Sequence, residues 1–366
     1  MQGLSPPSIF VGRFGYPKVM AGPAAQSLEG ESMDLAPSNP AALRSEPLER
    51  IASAHLDLIR GRALMNVKSA ASPDAILETS QEIAMAEKPV DLEVEYQRPV
   101  LIGATPTFDS LTQPVGSVAD IQSVDITANT IIPRKVDSII DESDLLTNDA
   151  MDELSQSGIG EAHLSRLLSA GLLGRDEARQ LVPTRWSITA TDDTLGKQMF
   201  EQIIDAPTID RVEVYEATRL DNNFQIILAP GLWAFQLLEV WAKGALWTAV
   251  GTASKSDWEE DKPRSDYVKE TAGAYHAARL GVLESLVFRK RIAACLIHRV
   301  IGPGYWAPVG VWLVRETVRD AMLMKPKLYD KLSDALESIA MDSPVPSKVR
   351  DGWFSRHSRQ TRLDAF

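Results

Sequence analysis

The chain of 366 residues is 44% hydrophobic and 24% charged, a composition typical of soluble globular proteins. This excludes a fibrous protein, a wholly disordered chain and a small disulfide-stabilised domain. The 38 Lys and Arg residues are outnumbered by 50 Asp and Glu residues, which gives a formal net charge of −12. The chain as a whole therefore has no electrostatic attraction to nucleic acid or anionic lipid, and contact with DNA requires a local basic patch.

The first part of the chain, residues 1–255, has the pattern of a mixed α and β region with short strands. Its predicted elements are a β-prone run at Ile9–Val11, a helical stripe over Glu46–Arg62, an alternating strand at Leu92–Tyr96, short helical pieces between Asp144 and Leu181, and two strands at Ile209–Thr218 and Phe224–Ala229. Turn-forming residues, Asp221–Asn223, separate the last two strands. We therefore predict a β-hairpin there.

The hydrophilic stretch Gly251–Asp266 predicts a boundary between this region and a second one. Residues 265–341 have mostly helical patterns, at Val268–Val300, Val311–Met324 and Leu328–Met341. From residue 342 to residue 366 the sequence is polar and contains prolines and serines, which predicts a flexible tail. The predicted fold class is α+β, with a mixed N-terminal region, a mostly helical C-terminal region and a disordered C-terminal tail.

Cysteine and histidine usage restricts the kinds of site that the chain can form. A single cysteine, Cys295, excludes disulfide frameworks and thiolate zinc sites and favours a reducing, intracellular setting. Its apolar neighbours predict a buried core thiol. The five histidines lack the spacing of a metal site, so no zinc or other metal is expected.

The sequence also argues against a membrane protein. Its most apolar stretch, Leu232–Val250, contains Glu239 and Lys243, which indicates a buried soluble segment rather than a membrane span. The N-terminus lacks the charged and apolar regions of a secretory signal. We expect a cytoplasmic protein with no membrane partner.

The last residues of the chain contain a spaced set of anchors. Gln360, Leu363 and Phe366 lie at positions i, i+3 and i+6, so one short helical turn would place Leu363 and Phe366 on the same side. The Gln360 amide would then bond a backbone group beside an apolar pocket. The pattern resembles the PCNA-interacting peptide, by which repair and replication proteins bind the sliding clamp. That peptide usually has a second aromatic residue, which is missing here and weakens the expected binding.

Several stretches of the body, in order along nearly the whole chain, resemble the archaeal NreA family of DNA repair proteins. They are Ser5–Val19 (SPPSIFVGRFGYPKV), Ile132–Asp137 (IPRKVD), Arg166–Gly174 (RLLSAGLLG), Leu181–Ala190 (LVPTRWSITA), Ala278–Glu284 (ARLGVLE) and Gly310–Glu316 (GVWLVRE). The resemblance implies a role in DNA damage repair, with the C-terminal peptide binding PCNA. Many members of that family begin with a cysteine-rich zinc module, which a chain with one cysteine cannot form.

The segment Leu181–Lys197 groups polar and aromatic side chains and has two interpretations. In the first, it lines a cleft in which Arg185 holds a phosphate, Trp186 stacks on a base or nicotinamide-like ring, and Ser187 forms a hydrogen bond with it. In the second, Arg185 pairs with a nearby carboxylate and Asp193 caps a helix. The sequence alone leaves both interpretations open.

A partner acid for such a cleft is Glu284, on the long predicted helix, although a helical glutamate is more often a salt-bridged surface group. With Arg185 and Glu284 as catalytic candidates, the cleft would suit ADP-ribosyl transfer with NAD as cofactor. Metal-assisted cleavage of nucleic acid by Asp192 and Asp193 is the less favoured chemistry, because adjacent carboxylates diverge from the backbone.

Arg13, Arg134 and Lys135 complete the candidates for binding phosphate, and any direct contact with DNA is assigned to such local patches. The leading hypothesis is a DNA repair factor that its C-terminal peptide recruits to PCNA. The alternative keeps this recruitment and makes the body an enzyme acting on NAD or nucleic acid. A third hypothesis is a non-catalytic scaffold that binds another repair protein.

Overall fold

The computed structural model describes residues 1–27, 40–100, 116–245, 248 and 251–360. The chain divides into two compact units. The first contains Met1–Leu195 and the short segment Pro308–Gly310, and the second contains Gly196–Ala307 and the chain from Val311 onwards. The division therefore falls well before the boundary predicted near residue 255.

The first unit contains six strands and most of the short helices. The strands are β1 (Gln2–Ser5), β2 (Ile9–Val11), β3 (Lys18–Ser27), β4 (Ile59–Asn66), β5 (Val90–Tyr96) and β6 (Val118–Ile126). The helices are α1 (Pro40–Leu43), α2 (Leu48–Leu56), α3 (Ala75–Met85), α4 (Arg134–Ile140), α5 (Thr147–Gln156) and α6 (Glu161–Ser169), and α7 (Thr184–Glu201) begins here. The strand predicted at Leu92–Tyr96 is confirmed as β5, in which buried apolar residues alternate with exposed acidic ones.

The sheet of the first unit closes on itself. Its strands follow the order β1-β5-β6-β4-β3-β2, and β1 pairs with β3 as well as with β5. All neighbours are antiparallel except β4 and β6, which run parallel. The result is a five-stranded barrel of β1, β3, β4, β6 and β5, to which β2 adds a further pairing on β3. Ala25, Leu92 and Ile121 belong to its buried core, together with Ile83 of α3.

The second unit is built on an open six-stranded sheet in the order β10-β9-β11-β8-β7-β12. The strands are β7 (Val212–Arg219), β8 (Asn222–Ala229), β9 (Ala234–Trp241), β10 (Ala253–Glu260), β11 (Ala294–Ile301) and β12 (Lys327–Tyr329). The helices are α8 (Gly273–Arg289), α9 (Trp312–Leu323), α10 (Leu332–Asp342), α11 (Pro346–Arg350) and α12 (Trp353–Gln360). The predicted hairpin is confirmed as β7 and β8, which pair antiparallel.

Helices cover both faces of this sheet. Phe235 of β9 lies against Tyr275 of α8, with 4.9 Å between the ring centroids. Its neighbour Ala234 points the other way, because successive side chains of a strand alternate, and lies in a core cluster with residues of α10, α11 and α12. The mixed secondary structure of the two units confirms the predicted α+β class.

Two segments of the second unit differ from their predicted state. The helical pattern over Val268–Val300 divides into α8 and the strand β11. This strand is buried on both faces and begins with an apolar run, and a short apolar run does not distinguish strand from helix. The hydrophilic stretch that predicted a boundary contains β10, which lies at the edge of the sheet and pairs along its whole length with β9. An edge strand accepts polar residues because one side of it faces water.

The segment after residue 342, predicted to be a free tail, continues as the helices α11 and α12, and α12 packs against the second sheet through Phe354. Phe354 of α12 is 1% exposed and lies in the same core cluster as Leu238 of β9. Its N–H donates a hydrogen bond to Gln236 Oε1 at 3.0 Å. The predicted flexible tail is thereby corrected for residues 343–360, since a few well-placed apolar residues are enough to anchor short helices.

A buried histidine also holds the start of this segment. Ser343 Oγ lies 3.0 Å from His298 Nε2 in β11, while His298 Nδ1 lies 3.0 Å from Gln225 Oε1. Burial lowers the pKa of His298 to about 4, so the ring is neutral at pH 7. The neutral ring has one donor and one acceptor, which matches its two partners.

The Phe354→Ala substitution tests whether α12 is part of the folded body. We expect a loss of about 3–5 kcal/mol in the free energy of unfolding, because the change leaves a cavity in a packed core. Urea denaturation followed by circular dichroism measures it. Met341→Ala is the control, since this side chain is 70% exposed and its removal should change stability by about 0.5 kcal/mol or less. Equal stability of the two variants would contradict the packing of α12.

Candidate functional site

An exposed turn connects β2 and β3 in the first unit. The Lys18 N–H donates to the Gly15 carbonyl at 2.9 Å, and the Gly12 N–H donates to the Met20 carbonyl at 2.8 Å. Gly15 has a φ of +83°, and a Cβ there would lie 2.7 Å from the Lys18 carbonyl oxygen. Glycine therefore fits this tight turn without strain. The turn presents Phe14 to solvent with 81% of the side chain's surface exposed.

The start of α7 packs beside this turn. The Val11 N–H donates to Thr184 Oγ1 at 2.8 Å, which joins β2 to the first residue of α7. Two residues further on, Trp186 lies against Tyr16 of the turn, with 5.7 Å between the ring centroids. The predicted candidates Arg185 and Trp186 are therefore held next to the β2–β3 turn.

Two cations accompany these rings. The Arg13 guanidinium lies 5.0 Å from the centroid of the Phe14 ring, and Lys18 follows at the start of β3. We call Arg13, Phe14, Tyr16, Lys18 and Trp186 the aromatic–basic surface, since all five are exposed. Residues 1–27 contain these two basic side chains and no acidic one. Flat apolar rings next to cations are suited to bases and phosphates respectively.

Ser187 does not share this surface. Its side chain is fully buried, and its Oγ donates to the Thr184 carbonyl at 3.0 Å within the first turn of α7. Asp192, further along the helix, is also fully buried. The structure therefore places Trp186 at the solvent and Ser187 in the interior, because residues next to each other on a helix point about 100° apart.

Glu284 belongs to the second unit, whereas Arg185 belongs to the first. The Glu284 carboxylate accepts hydrogen bonds from two nitrogens of the Arg319 guanidinium, one of them at 2.7 Å. Arg319 also bonds Glu316, so that α8 and α9 are joined by a small ionic network. Glu284 is therefore a salt-bridged group between two helices, the more common role of a helical glutamate.

Arg134 and Lys135 form the first residues of α4. Lys135 Nζ donates to Glu153 Oε2 of α5 at 2.8 Å, which partly neutralises its charge. Arg134 is exposed beside it. Of the two, Arg134 is therefore the more accessible cation for a phosphate. No aromatic residue lies next to it in the sequence.

The second unit contains buried ion pairs whose partners no local sequence pattern predicts. Arg279 Nη1 donates to Glu259 Oε2 at 2.9 Å, and Glu259 also accepts from Trp233 Nε1 at 2.9 Å. Arg299 similarly pairs with Glu239. Burial raises the pKa of Glu239, an effect that Arg299 opposes. The sequence signal was the occurrence of Glu239 inside the most apolar stretch, where a charge requires a partner.

The structure also shows the surroundings of the single cysteine and of the side chains that could bind a metal. Cys295 is fully buried in β11, which confirms the predicted core thiol, and burial raises its pKa. Over the described ranges, no three His, Cys, Asp or Glu side chains come together as a metal site. None of the helices in those ranges is long and apolar enough to cross a membrane.

The C-terminal anchors lie at the limit of the described chain. Gln360 is the last residue of α12. Leu363 and Phe366 lie outside the described residues. Of the three predicted anchors, the structure therefore places only the backbone of Gln360, at the end of α12.

Comparison with known proteins identifies the family of this chain. The family model described as Archaeal Nre, N-terminal, matches residues 1–248, and the one described as Archaeal Nre, C-terminal, matches residues 259–366. Together they cover both structural units. The chain belongs to the archaeal Nre family.

Curated relatives are similar to the chain over most of its length. DNA repair protein NreA of Haloferax volcanii is 38% identical over 93% of this chain and 82% of its own length. DNA repair protein NreA of Archaeoglobus fulgidus is 35% identical over 99% of this chain and 89% of its own, and DNA repair protein NreB of that organism is 36% identical over 92% and 84%. No solved structure matches the chain.

The Thr184→Val substitution tests how α7 is attached to the β2–β3 turn. We expect the free energy of unfolding to fall by about 1–3 kcal/mol, because the Val11 N–H loses its acceptor. Thr184→Ser is the matched control, since it keeps the hydroxyl and should retain most of the stability. Denaturant unfolding of both variants measures the difference, and identical losses would show that the hydroxyl does not carry the attachment.

Proposed function

We propose that this protein is a DNA repair factor that its C-terminal peptide recruits to the sliding clamp PCNA. The observation that carries the repair role is the similarity to three DNA repair proteins of the NreA and NreB types over 92–99% of the chain. The matched stretch covers both structural units, so the similarity is not limited to one shared domain.

Recruitment to the clamp is supported by the spacing of Gln360, Leu363 and Phe366. In a peptide of this kind, a short turn inserts two apolar side chains into a pocket while the amide bonds the pocket's rim. The described body ends with α12, whose Phe354 is buried in the core of the second unit. In the sequence, residues 361–366 follow this anchored helix directly, so two of the three anchors lie beyond the part of the chain that α12 holds in the body.

Ordering the peptide on the clamp costs conformational entropy, so we expect micromolar affinity. The Phe366→Ala variant should lose about 2 kcal/mol or more of binding free energy, about a 30-fold increase in Kd, because it removes an aromatic anchor. Isothermal titration calorimetry of PCNA with the full chain and with this variant measures the difference.

The same titration is carried out with a shortened chain and with a control variant. A chain ending at Gln360 keeps α12 and should lose binding entirely. Phe288→Ala removes an exposed phenylalanine of α8, 88% exposed and outside the peptide, and should bind as the unchanged protein does. Unchanged Kd values for Phe366→Ala and for the shortened chain would refute the clamp-binding peptide and leave the repair role to be supported by the relatives alone.

The repair role is tested separately in cells. In an archaeal strain lacking its own Nre genes, we expect the full chain to restore survival after DNA-damaging treatment. The Phe366→Ala variant should restore less, because the protein would reach the clamp less often. Colony counts after graded ultraviolet or alkylating doses measure survival. A full chain that is expressed and restores nothing would contradict the repair role.

A further inference from the structure

The barrel of the first unit has the connectivity of an oligonucleotide-binding fold. Around the barrel its strands follow the order β1-β3-β4-β6-β5, returning to β1, with β4 and β6 parallel and all other pairs antiparallel. Helix α3 lies in the chain between β4 and β5, which are the third and fourth barrel strands. That order, that single parallel pair and that helix position define the five-stranded Greek-key barrel known as the OB-fold.

In OB-folds, oligonucleotides bind across the second and third barrel strands and between the loops beside them. The corresponding strands here are β3 and β4. The loop between the first and second strands corresponds to the β2–β3 turn, since β2 continues the pairing of β1 along β3 after the interruption at Pro6 and Pro7. The aromatic–basic surface therefore lies at the position where this fold binds nucleic acid.

The exposed face of β3 and β4 continues this surface. Lys18 pairs with Asn66 and Met20 pairs with Leu64, and Leu64 is 67% exposed. The alternate residues Val19 and Met65 are buried in the barrel. The paired face extends over seven residues of β3, from Lys18 to Ala24, and the six steps between them span about 20 Å.

The exposed face of β3 and β4 also contains arginines. Arg60 of β4 lies over the ring of Phe10, 3.8 Å from its centroid. Arg62, two residues further along, is bonded to Asp120 at 2.7 Å. Strand β4 contains no acidic residue. In a chain with a net charge of −12, this local excess of positive charge favours a polyanion over an acidic or neutral protein surface.

From these observations we infer that the aromatic–basic surface, together with the exposed face of β3 and β4, binds single-stranded DNA. Phe14, Tyr16 and Trp186 stack on unpaired bases, while Arg13 and Lys18 contact phosphates. Stacking requires bases whose faces are free, so a duplex binds less tightly than a single strand. The choice of DNA over RNA rests on the proposed repair function; the choice of a single strand rests on the surface alone.

The test measures fluorescence anisotropy of a labelled oligo(dT) of about 20 nucleotides, long enough to cover one OB-fold, with the full-length protein. Phe14→Ala and Trp186→Ala should each weaken binding by about tenfold or more, because each removes a stacking platform. Phe288→Ala is the matched control, an exposed phenylalanine of the second unit that should bind normally. Phe14 is 81% exposed, so its loss leaves the fold intact, as circular dichroism will confirm.

A charge variant provides an independent measurement. Between about 50 and 200 mM salt, the double substitution Arg13→Ala with Lys18→Ala should lower the slope of log K against log salt by about 1.4, since each phosphate contact contributes about 0.7. Lys262→Ala, an exposed lysine of the second unit, should leave the slope unchanged.

The competing ligands give distinct outcomes. No binding of oligo(dT), or equal binding by the Phe14, Trp186 and Phe288 variants, would overturn the inference. Preference for duplex DNA would also overturn it, because stacking would then not be the mode of binding. Preference for oligo(U) over oligo(dT) would keep the single-strand surface and reject DNA as its ligand. Phe366→Ala should bind oligo(dT) normally, so failure of the clamp peptide and failure of this surface are distinguishable.

Discussion

The barrel of the first unit depends on the close approach of β1 to β3. At Gly3, an added Cβ would lie 2.3 Å from the Gln26 carbonyl oxygen, so the strands meet only where a side chain is absent. β1 has four residues, yet its pairing with both β3 and β5 converts an open sheet into a closed one. Closure fixes the position of β2 and of the turn that follows it. The aromatic–basic surface therefore depends on this contact, together with the pairing of β2 with β3 and the bond from Val11 to Thr184.

The buried arginines of the second sheet and the cations of the aromatic–basic surface have different roles. In the second unit, Arg279, Arg289 and Arg299 each pair with a glutamate of the sheet, so their charges stabilise the fold. In the first unit, Arg13 and Lys18 form no ion pair with any residue that the structure describes. Cations without an ion-pair partner on a mostly acidic protein attract a polyanion locally, and acidic surface elsewhere repels it. Such a charge distribution orients a bound strand as well as attracting it.

Local patterns were sufficient to predict β5 and the β7–β8 hairpin, because alternation and turn chemistry act within a few residues. They did not reveal the barrel, since its closing pair joins Gly3 to Ser27 and the sequence around β1 contains no sign of its partners. The polar strand β10 was interpreted as a boundary because edge strands resemble linkers in composition. At the candidate site, residue type alone selected Arg13, Arg185 and Trp186. Their proximity depends on contacts such as the bond from Val11 to Thr184, 173 residues apart, which no local pattern contains.

The burial of Phe354 sets how far the C-terminal anchors can reach from the body. Phe354 is fixed in the core, and Phe366 lies six residues beyond Gln360, a stretch that spans at most about 21 Å. Under the proposed recruitment, a clamp bound through Leu363 and Phe366 would lie within that distance of the end of α12. The second unit would then exclude other proteins from the neighbouring surface of the clamp by steric overlap, in addition to the occupation of the pocket itself.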